Sequence, residues 1–195
     1  MKNNLYPIFL KTDQLKILIV GGGYVALEKL TFLFKSSPNS NVSLVAIEYI
    51  PEVLDYVKEY HLTHHRKAYE STDLKAVDIV IGATNDPQTN IQIHQDAKLK
   101  NILVNIADNP PYCDFYMGGI VTKGNVKIAI STNGKSPTLA KRLRQFFEEV
   151  IPESINELAV NLNTYRRSLK GDFNSKVNQL NDLTQSFINY QNQEK

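Results

Sequence analysis

The 195-residue sequence predicts an α/β protein: a doubly wound parallel sheet first, then a small β-containing region, then a helical C-terminal stretch. Three observations predict it. Short apolar runs alternate, as far as Ile106, with segments whose apolar residues recur at helical spacing. The first of these runs is followed at once by Gly21-Gly22-Gly23 and a helical pattern. The alternation then stops at Pro110-Pro111, and two short β-rich runs precede the last helices.

Leu15 to Val20 reads Leu-Lys-Ile-Leu-Ile-Val, an almost continuous apolar run suited to a strand covered on both faces. Tyr24 to Lys35 carries Ala26, Leu27, Leu30, Leu33 and Phe34 at helical spacing, and the Ser36 to Asn41 cluster ends it. Val42 to Ile47 is a second apolar strand, Pro51 to Tyr60 a helix, and Leu62 to Lys67 a short strand. Ala76 to Ala83 predicts another strand, Thr84 to Pro87 a turn, Gln88 to Lys100 a helix and Ile102 to Ile106 a further strand. Strands alternating with helices imply right-handed crossovers and a parallel sheet. Beyond Pro111, Gly119 to Lys123 and Val126 to Ser131 flank Gly124-Asn125, a hairpin signal. Ser136 to Val150 predicts a helix, helices continue to the end, and the Asn- and Gln-rich stretch from Gln179 is expected to fray.

Composition narrows the function. A formal net charge of +2 gives no global basic field for nucleic acid. The single cysteine, Cys113, excludes an intramolecular disulfide and fits a reducing, cytoplasmic setting. The first residues lack the apolar core of a signal peptide, and no apolar run approaches the ~20 residues of a membrane helix, so a soluble protein is expected. His61, His64, His65 and His94 show no metal-ligand spacing, and no metal site is expected.

Gly21-x-Gly23-x-x-Ala26 stands after a strand and opens a helix, where a dinucleotide-binding fingerprint belongs. Gly21 permits the tight turn, Gly23 lets the backbone approach a diphosphate, and Ala26 lets helix and strand pack. The N–H groups at the helix start, at Tyr24 and Val25, favour an anion. Glu48, at the end of the second strand, is placed to hold the adenosine ribose and favours NAD over NADP; the bland alternative is an exposed loop glutamate. Thr84 and Asn85 either bond the cofactor or form a turn and a helix cap.

Asp108 follows the last strand on the carboxyl edge, where open α/β sheets bind ligands. It is either a general acid/base beside a nicotinamide or a turn residue bonding its own backbone. The later helix has Ser136 as N-cap, Pro137 in first position, and an apolar stripe of Leu139, Leu143, Phe146 or Phe147, and Val150. Its charges oppose the macrodipole: Lys135, Lys141, Arg142 and Arg144 lie toward its start, Glu148 and Glu149 at its end. An anionic ligand near Ser131, Thr132 and Ser136 accounts for this better than a merely solvated face.

Taken in order, Gly21-Gly22-Gly23, Gly82-Ala83-Thr84-Asn85-Asp86, Asn105-Ile106-Ala107-Asp108-Asn109-Pro110, Phe115-Tyr116-Met117 and Ser131 to Ala140 resemble the precorrin-2 dehydrogenase / sirohydrochlorin ferrochelatase family, the N-terminal portion of siroheme synthase. The resemblance covers residues 5 to 150 well and the tail loosely. It implies a Rossmann-type NAD-binding domain over 1–112, a small dimerisation and substrate region over 113–149 and a helical region over 150–195. It implies NAD-dependent oxidation of precorrin-2 to sirohydrochlorin by a homodimer, with Fe²⁺ insertion in some members, and no room for the methyltransferase domain of the fused enzymes. The family's essential aspartate falls on Asp108. The substrate's carboxylates suit Lys135, Lys141, Arg142 and Arg144, with Asn105, Ser131, Thr132 and Ser136 beside them. Gly118 stands where proline is common, and Asn133 where glycine is usual. A non-catalytic NAD-sensing module and a chelatase without the redox step are the alternatives.

Overall fold

The computed structural model describes residues 3–189. Its main sheet contains β1 (Ile17–Val20), β2 (Val42–Ala46), β3 (Thr63–Arg66), β4 (Ile79–Gly82) and β5 (Leu103–Ile106), all parallel, in the order β3-β2-β1-β4-β5. Helices α1 (Tyr24–Ser36), α2 (Pro51–Glu59) and α3 (Pro87–Leu99) form the crossovers. Strand order reverses direction between β1 and β4, the place where this topology opens a crevice at the carboxyl ends.

Period-two alternation splits the core into two layers. Ile17, Ile19, Ile79 and Ile81 face one side with Leu44, and there meet Ala26, Leu30 and Phe34 of α1 and Val53 of α2. Leu18, Val20, Val80 and Val104 face the other side and meet Ile93 and Ala97 of α3. Central strands buried on both faces therefore read as unbroken apolar runs. β3 has all four residues exposed, as an edge strand paired only with β2 permits.

Two expected strands start two or more residues later than their apolar runs, and the others differ by at most one residue at an end. β1 starts at Ile17, not Leu15, because the backbone N–H of Lys16 is taken by the Asp78 carboxylate (2.8 Å). β4 starts at Ile79, not Ala76, because Ala76 adopts φ +57° and breaks the extended chain. A 3₁₀ turn at Ser71–Leu74, which the hydrophobic pattern does not signal, buries Leu74 under α3 through a reciprocal Glu70–Asp73 capping box.

By contacts the chain divides into two units: residues up to Gly119 with Ser131–Ala140, and Ile120–Ile130 with the chain from Lys141 onward. The hairpin of β6 (Gly119–Lys123) and β7 (Val126–Ile130) forms as expected. Its tip is held by α5 (Ile155–Ser168): Asn156 Oδ1 accepts from the Asn125 backbone and side chain, both at 2.9 Å, and Lys123 pairs with Glu153. α4 (Pro137–Val150) precedes α5, and α6 (Phe173–Asn189) follows it after Gly171. The stretch expected to fray is helical through Asn189, and the rest of it lies outside the described residues.

Candidate functional site

The glycine turn is stitched into the sheet on both sides. Gly21 N–H donates to the Val45 carbonyl (2.9 Å), and Ile50 N–H donates to the Gly22 carbonyl (2.9 Å). Gly21 has φ +133°, and a Cβ there would fall on the Ala83 carbonyl, 2.7 Å from its carbon. A Cβ on Gly22 would fall on the Glu48 carbonyl, 3.0 Å from its carbon and 2.8 Å from the Tyr49 ring. Gly23 differs: a Cβ there would touch nothing within 4 Å among the described residues. Close packing therefore explains the first two glycines, while the third borders open space and leaves room for a diphosphate to approach the backbone. Gly23 is also the N-cap of α1 and offers no side-chain cap, so Tyr24, Val25 and Ala26 begin the helix with their N–H groups available, and no acid stands in the first turn. Ala26 is fully buried beneath them, as helix–strand packing requires. These features fit a diphosphate.

The same edge continues to Asp108. Ala83 N–H donates to the Val20 carbonyl (2.7 Å), and Ala107 N–H donates to the Gly82 carbonyl (2.9 Å). The ends of β2, β1, β4 and β5 thus lie side by side, with exposed Glu48 after β2, the glycine turn after β1, Thr84 after β4 and Asp108 after β5. Two strand spacings, roughly 10 Å, separate the glycine turn from Asp108 along the edge. Asp108 is exposed and sits at φ +57°, a conformation Asp tolerates better than most residues. The structure brings Gly21, Gly23, Tyr24, Val25, Glu48, Thr84, Asn85 and Asp108 onto this one edge.

Two residues on the edge are already engaged. The Thr84 hydroxyl donates to Asn90 Oδ1 (2.8 Å) and accepts from Asp86 N–H (3.2 Å), so it builds the turn into α3. Asp86 caps that helix by accepting from Gln88 N–H (3.3 Å) and Thr89 N–H (3.0 Å). The Thr89 hydroxyl and these N–H groups hold the Asp86 carboxyl below the usual range. Asn85 remains exposed. Asn105 is buried, and its amide donates to the Phe115 carbonyl (2.8 Å) and toward Cys113 Sγ (3.4 Å). It acts on the scaffold here, tying down the chain that leaves Asp108.

That chain is a feature the hydrophobic pattern missed. After Pro110–Tyr112 it runs back along β5: Asp114 N–H donates to the Val104 carbonyl (2.8 Å), and Val104 N–H donates to the Asp114 carboxylate (3.2 Å). Lys98 pairs with Asp114 at 2.7 Å. Cys113 Sγ accepts from Ile106 N–H (3.3 Å) and lies within bonding distance of the Ile106 and Asn109 carbonyls, so one thiol grips the turn on both sides of Asp108. Burial pushes that thiol's pKa up.

In the Ser131–Ala140 segment, Ser136 is the N-cap, its hydroxyl accepting from Leu139 N–H (3.1 Å). Thr132 Oγ1 accepts from Ser136 N–H (3.2 Å), and Ser131 Oγ from Asn133 N–H (3.1 Å). Asn133 and Gly134 are both left-handed, φ +54° and +70°. Lys135, Lys141 and Arg142 are exposed, with Arg142 donating to Gln145 Oε1 (3.0 Å). Arg144 is half-buried and paired with Glu148 at 2.6 Å. Among the described residues there is no cluster of three His, Cys, Asp or Glu side chains able to hold a metal, and no helix long and apolar enough to cross a membrane.

Comparison with known proteins gives this edge a family. Residues 8–119 match the family model described as "Putative NAD(P)-binding", and residues 123–149 match the one described as "Sirohaem biosynthesis protein central". A siroheme synthase of Pseudoalteromonas atlantica is 41% identical over 87% of this chain, and one of Psychrobacter arcticus 36% identical over 89%. The chain spans about a third of the length of these relatives, 36% and 31%. The solved structure of SirC, precorrin-2 dehydrogenase, shares the fold with a TM-score of 0.75 at 24% identity, over 92% of this chain and 89% of that one. The open Gly23, the bare helix start and the parallel sheet fit the first model, and the order of the two models fits the order of the motifs. The chain belongs to the NAD(P)-binding family that, joined to the sirohaem biosynthesis central region, is shared with the siroheme synthases.

Proposed function

We propose that this protein oxidises precorrin-2 to sirohydrochlorin with NAD⁺. The observation that carries the reading is the unbroken carboxyl edge from the glycine turn to Asp108, in a chain related to siroheme synthases. The reaction balances as precorrin-2 plus NAD⁺ giving sirohydrochlorin, NADH and one proton. NAD⁺, when bound, supplies the hydride acceptor. The N–H groups of Tyr24 and Val25, with the Gly21 to Gly23 turn, bind its diphosphate. Glu48 accepts hydrogen bonds from the adenosine ribose and repels a 2′-phosphate, and Asn85 lies beside the path of the cofactor. Asp108 takes the proton that leaves the macrocycle as the hydride departs. Its place at the strand end, with the turn gripped by Cys113, holds the carboxylate at the edge.

Substrate carboxylates are assigned to the exposed cations Lys135, Lys141 and Arg142, with Ser131, Thr132 and Ser136 shaping the loop. Arg144 is a weaker candidate because Glu148 already occupies it. We assign a homodimer on the half-exposed Leu139, Phe146 and Val150 of α4, which a lone chain leaves in water, and a cytoplasmic location on the single half-buried thiol. Anaerobic incubation with precorrin-2 and NAD⁺, followed by absorbance, tests the activity; Fe²⁺ added afterwards tests chelation. Sirohydrochlorin formation supports the reading. NAD⁺ binding without turnover would leave a sensing module, and metal insertion without oxidation a chelatase.

A further inference from the structure

The second unit contains a cavity of about 470 Å³ that no role above uses. It is lined by Asn163, Arg166, Arg167, Phe173, Lys176 and Leu180, with the rest of its wall from the same two helices and Gly171 between them. Its lining contains three cations and no carboxylate. Arg166 and Arg167 end α5, where the macrodipole favours them. Lys176 does not have that explanation, because it stands near the start of α6, at the positive end of the dipole. Phe173, the first residue of α6, is 70% exposed. Asp172 is turned to its own backbone, accepting from Ser175 N–H at 2.8 Å. None of the three cations has an ion-pair or hydrogen-bond partner among the described residues.

Like charges gathered around a cavity repel one another, and a bound anion relieves that repulsion; the start of α6 itself already has the Asp172 carboxylate as its cap. Guanidinium groups suit phosphate or carboxylate oxygens bidentately, and an exposed aromatic face suits a flat ring. The volume lies low in the range of ligand pockets, about 300–1,000 Å³, and fits a molecule of mononucleotide size. We propose that this cavity binds a small polyanion bearing a planar ring, its phosphates or carboxylates on Arg166, Arg167 and Lys176 and its ring against Phe173. The site shares no residue with the glycine turn and does not depend on the proposed reaction.

Titration calorimetry on the full chain tests this with three probes: ATP, inorganic tripolyphosphate, and benzene-1,3,5-tricarboxylate. A Gly23→Asp background removes binding at the glycine turn. There, ATP or the tricarboxylate is expected to bind, the tighter one naming phosphate or carboxylate as the natural group. Arg167→Ala should weaken all probes about tenfold. Phe173→Ala should weaken the two ring-bearing probes about two- to tenfold and leave tripolyphosphate unchanged. Both side chains are exposed, so circular dichroism should be unaltered in these variants. No binding of any probe in the Gly23→Asp chain, or binding indifferent to both substitutions, overturns the proposal. Failure of precorrin-2 oxidation does not touch it.

Discussion

Alanine at Gly22 and alanine at Gly23 should have opposite consequences, although the two residues are adjacent. At Gly22 the new methyl meets the Glu48 carbonyl and the Tyr49 ring, 2.8 Å away. The carbonyl is backbone, held in a loop whose Ile50 N–H bonds Gly22 itself (2.9 Å), so it cannot swing aside as a side-chain end would. Overpacking of this kind costs about 1–3 kcal/mol, and an immobile neighbour places it at the upper end. For a chain of this size a loss of about 3 kcal/mol lowers Tm by about 6–12 °C. At Gly23 the methyl meets nothing and φ is −97°, so the cost to folding stays within about 1 kcal/mol. That methyl instead occupies the space where a diphosphate approaches, and NAD⁺ affinity should fall tenfold or more. Thermal melts with and without NAD⁺ separate the two effects. A ligand at about 100 times Kd adds about 2.7 kcal/mol to wild-type stability. The Gly22→Ala protein should melt early, and the Gly23→Ala protein should melt close to wild type but keep at most about 1.4 kcal/mol, half of the NAD⁺ stabilisation, at the same NAD⁺ concentration. A Gly23→Ala protein with the full shift would refute the placement of the diphosphate.

Other outcomes follow from the same geometry. Asn105→Ala leaves the Phe115 carbonyl without its 2.8 Å donor in a part-buried setting and should cost about 1–2 kcal/mol by urea denaturation, whatever its effect on turnover. Ser136→Ala removes the cap on Leu139 N–H and should cost about 1 kcal/mol. Because folding lowers the Asp86 carboxyl pKa, its contribution is present above the unfolded pKa and is lost as pH falls through the folded one; Asp86→Asn should flatten that part of the stability–pH curve in acid melts. Glu48→Ala should narrow the preference for NAD⁺ over NADP⁺ in paired titrations, and unchanged discrimination would remove Glu48 from the ribose site.

Much of the first unit is legible in the sequence, for a simple reason. Strands buried on both faces, such as Ile17–Val20 and Ile79–Gly82, must be apolar throughout, and the glycine turn between β1 and α1 must be small. What pattern reading misses depends on partners far away in the chain. The start of β1 is set by Asp78, and the return of Asp114 along β5 by hydrogen bonds that carry no periodicity. Asn105 shows the limit for site residues: its place at a strand end suggests a ligand contact, but only three dimensions reveal that Phe115 occupies its amide. Thr84 is similar, its hydroxyl spent on Asn90. The cations of the α5–α6 cavity escape because Arg166 and Lys176 meet only after the chain turns at Gly171.

The central claim is that the glycine turn and Asp108 serve one reaction. Its most direct test is a single turnover of precorrin-2 with saturating NAD⁺, under anaerobic conditions, in wild-type and Asp108→Asn protein. Asparagine tolerates the left-handed backbone at this position, so the fold should be kept. Wild type should release NADH and sirohydrochlorin in equal amounts, while Asp108→Asn binds NAD⁺ with unchanged affinity and forms neither at a comparable rate. Equal rates in the two proteins would contradict the role of Asp108, and a wild-type protein that binds NAD⁺ but forms no NADH from precorrin-2 would contradict the account as a whole.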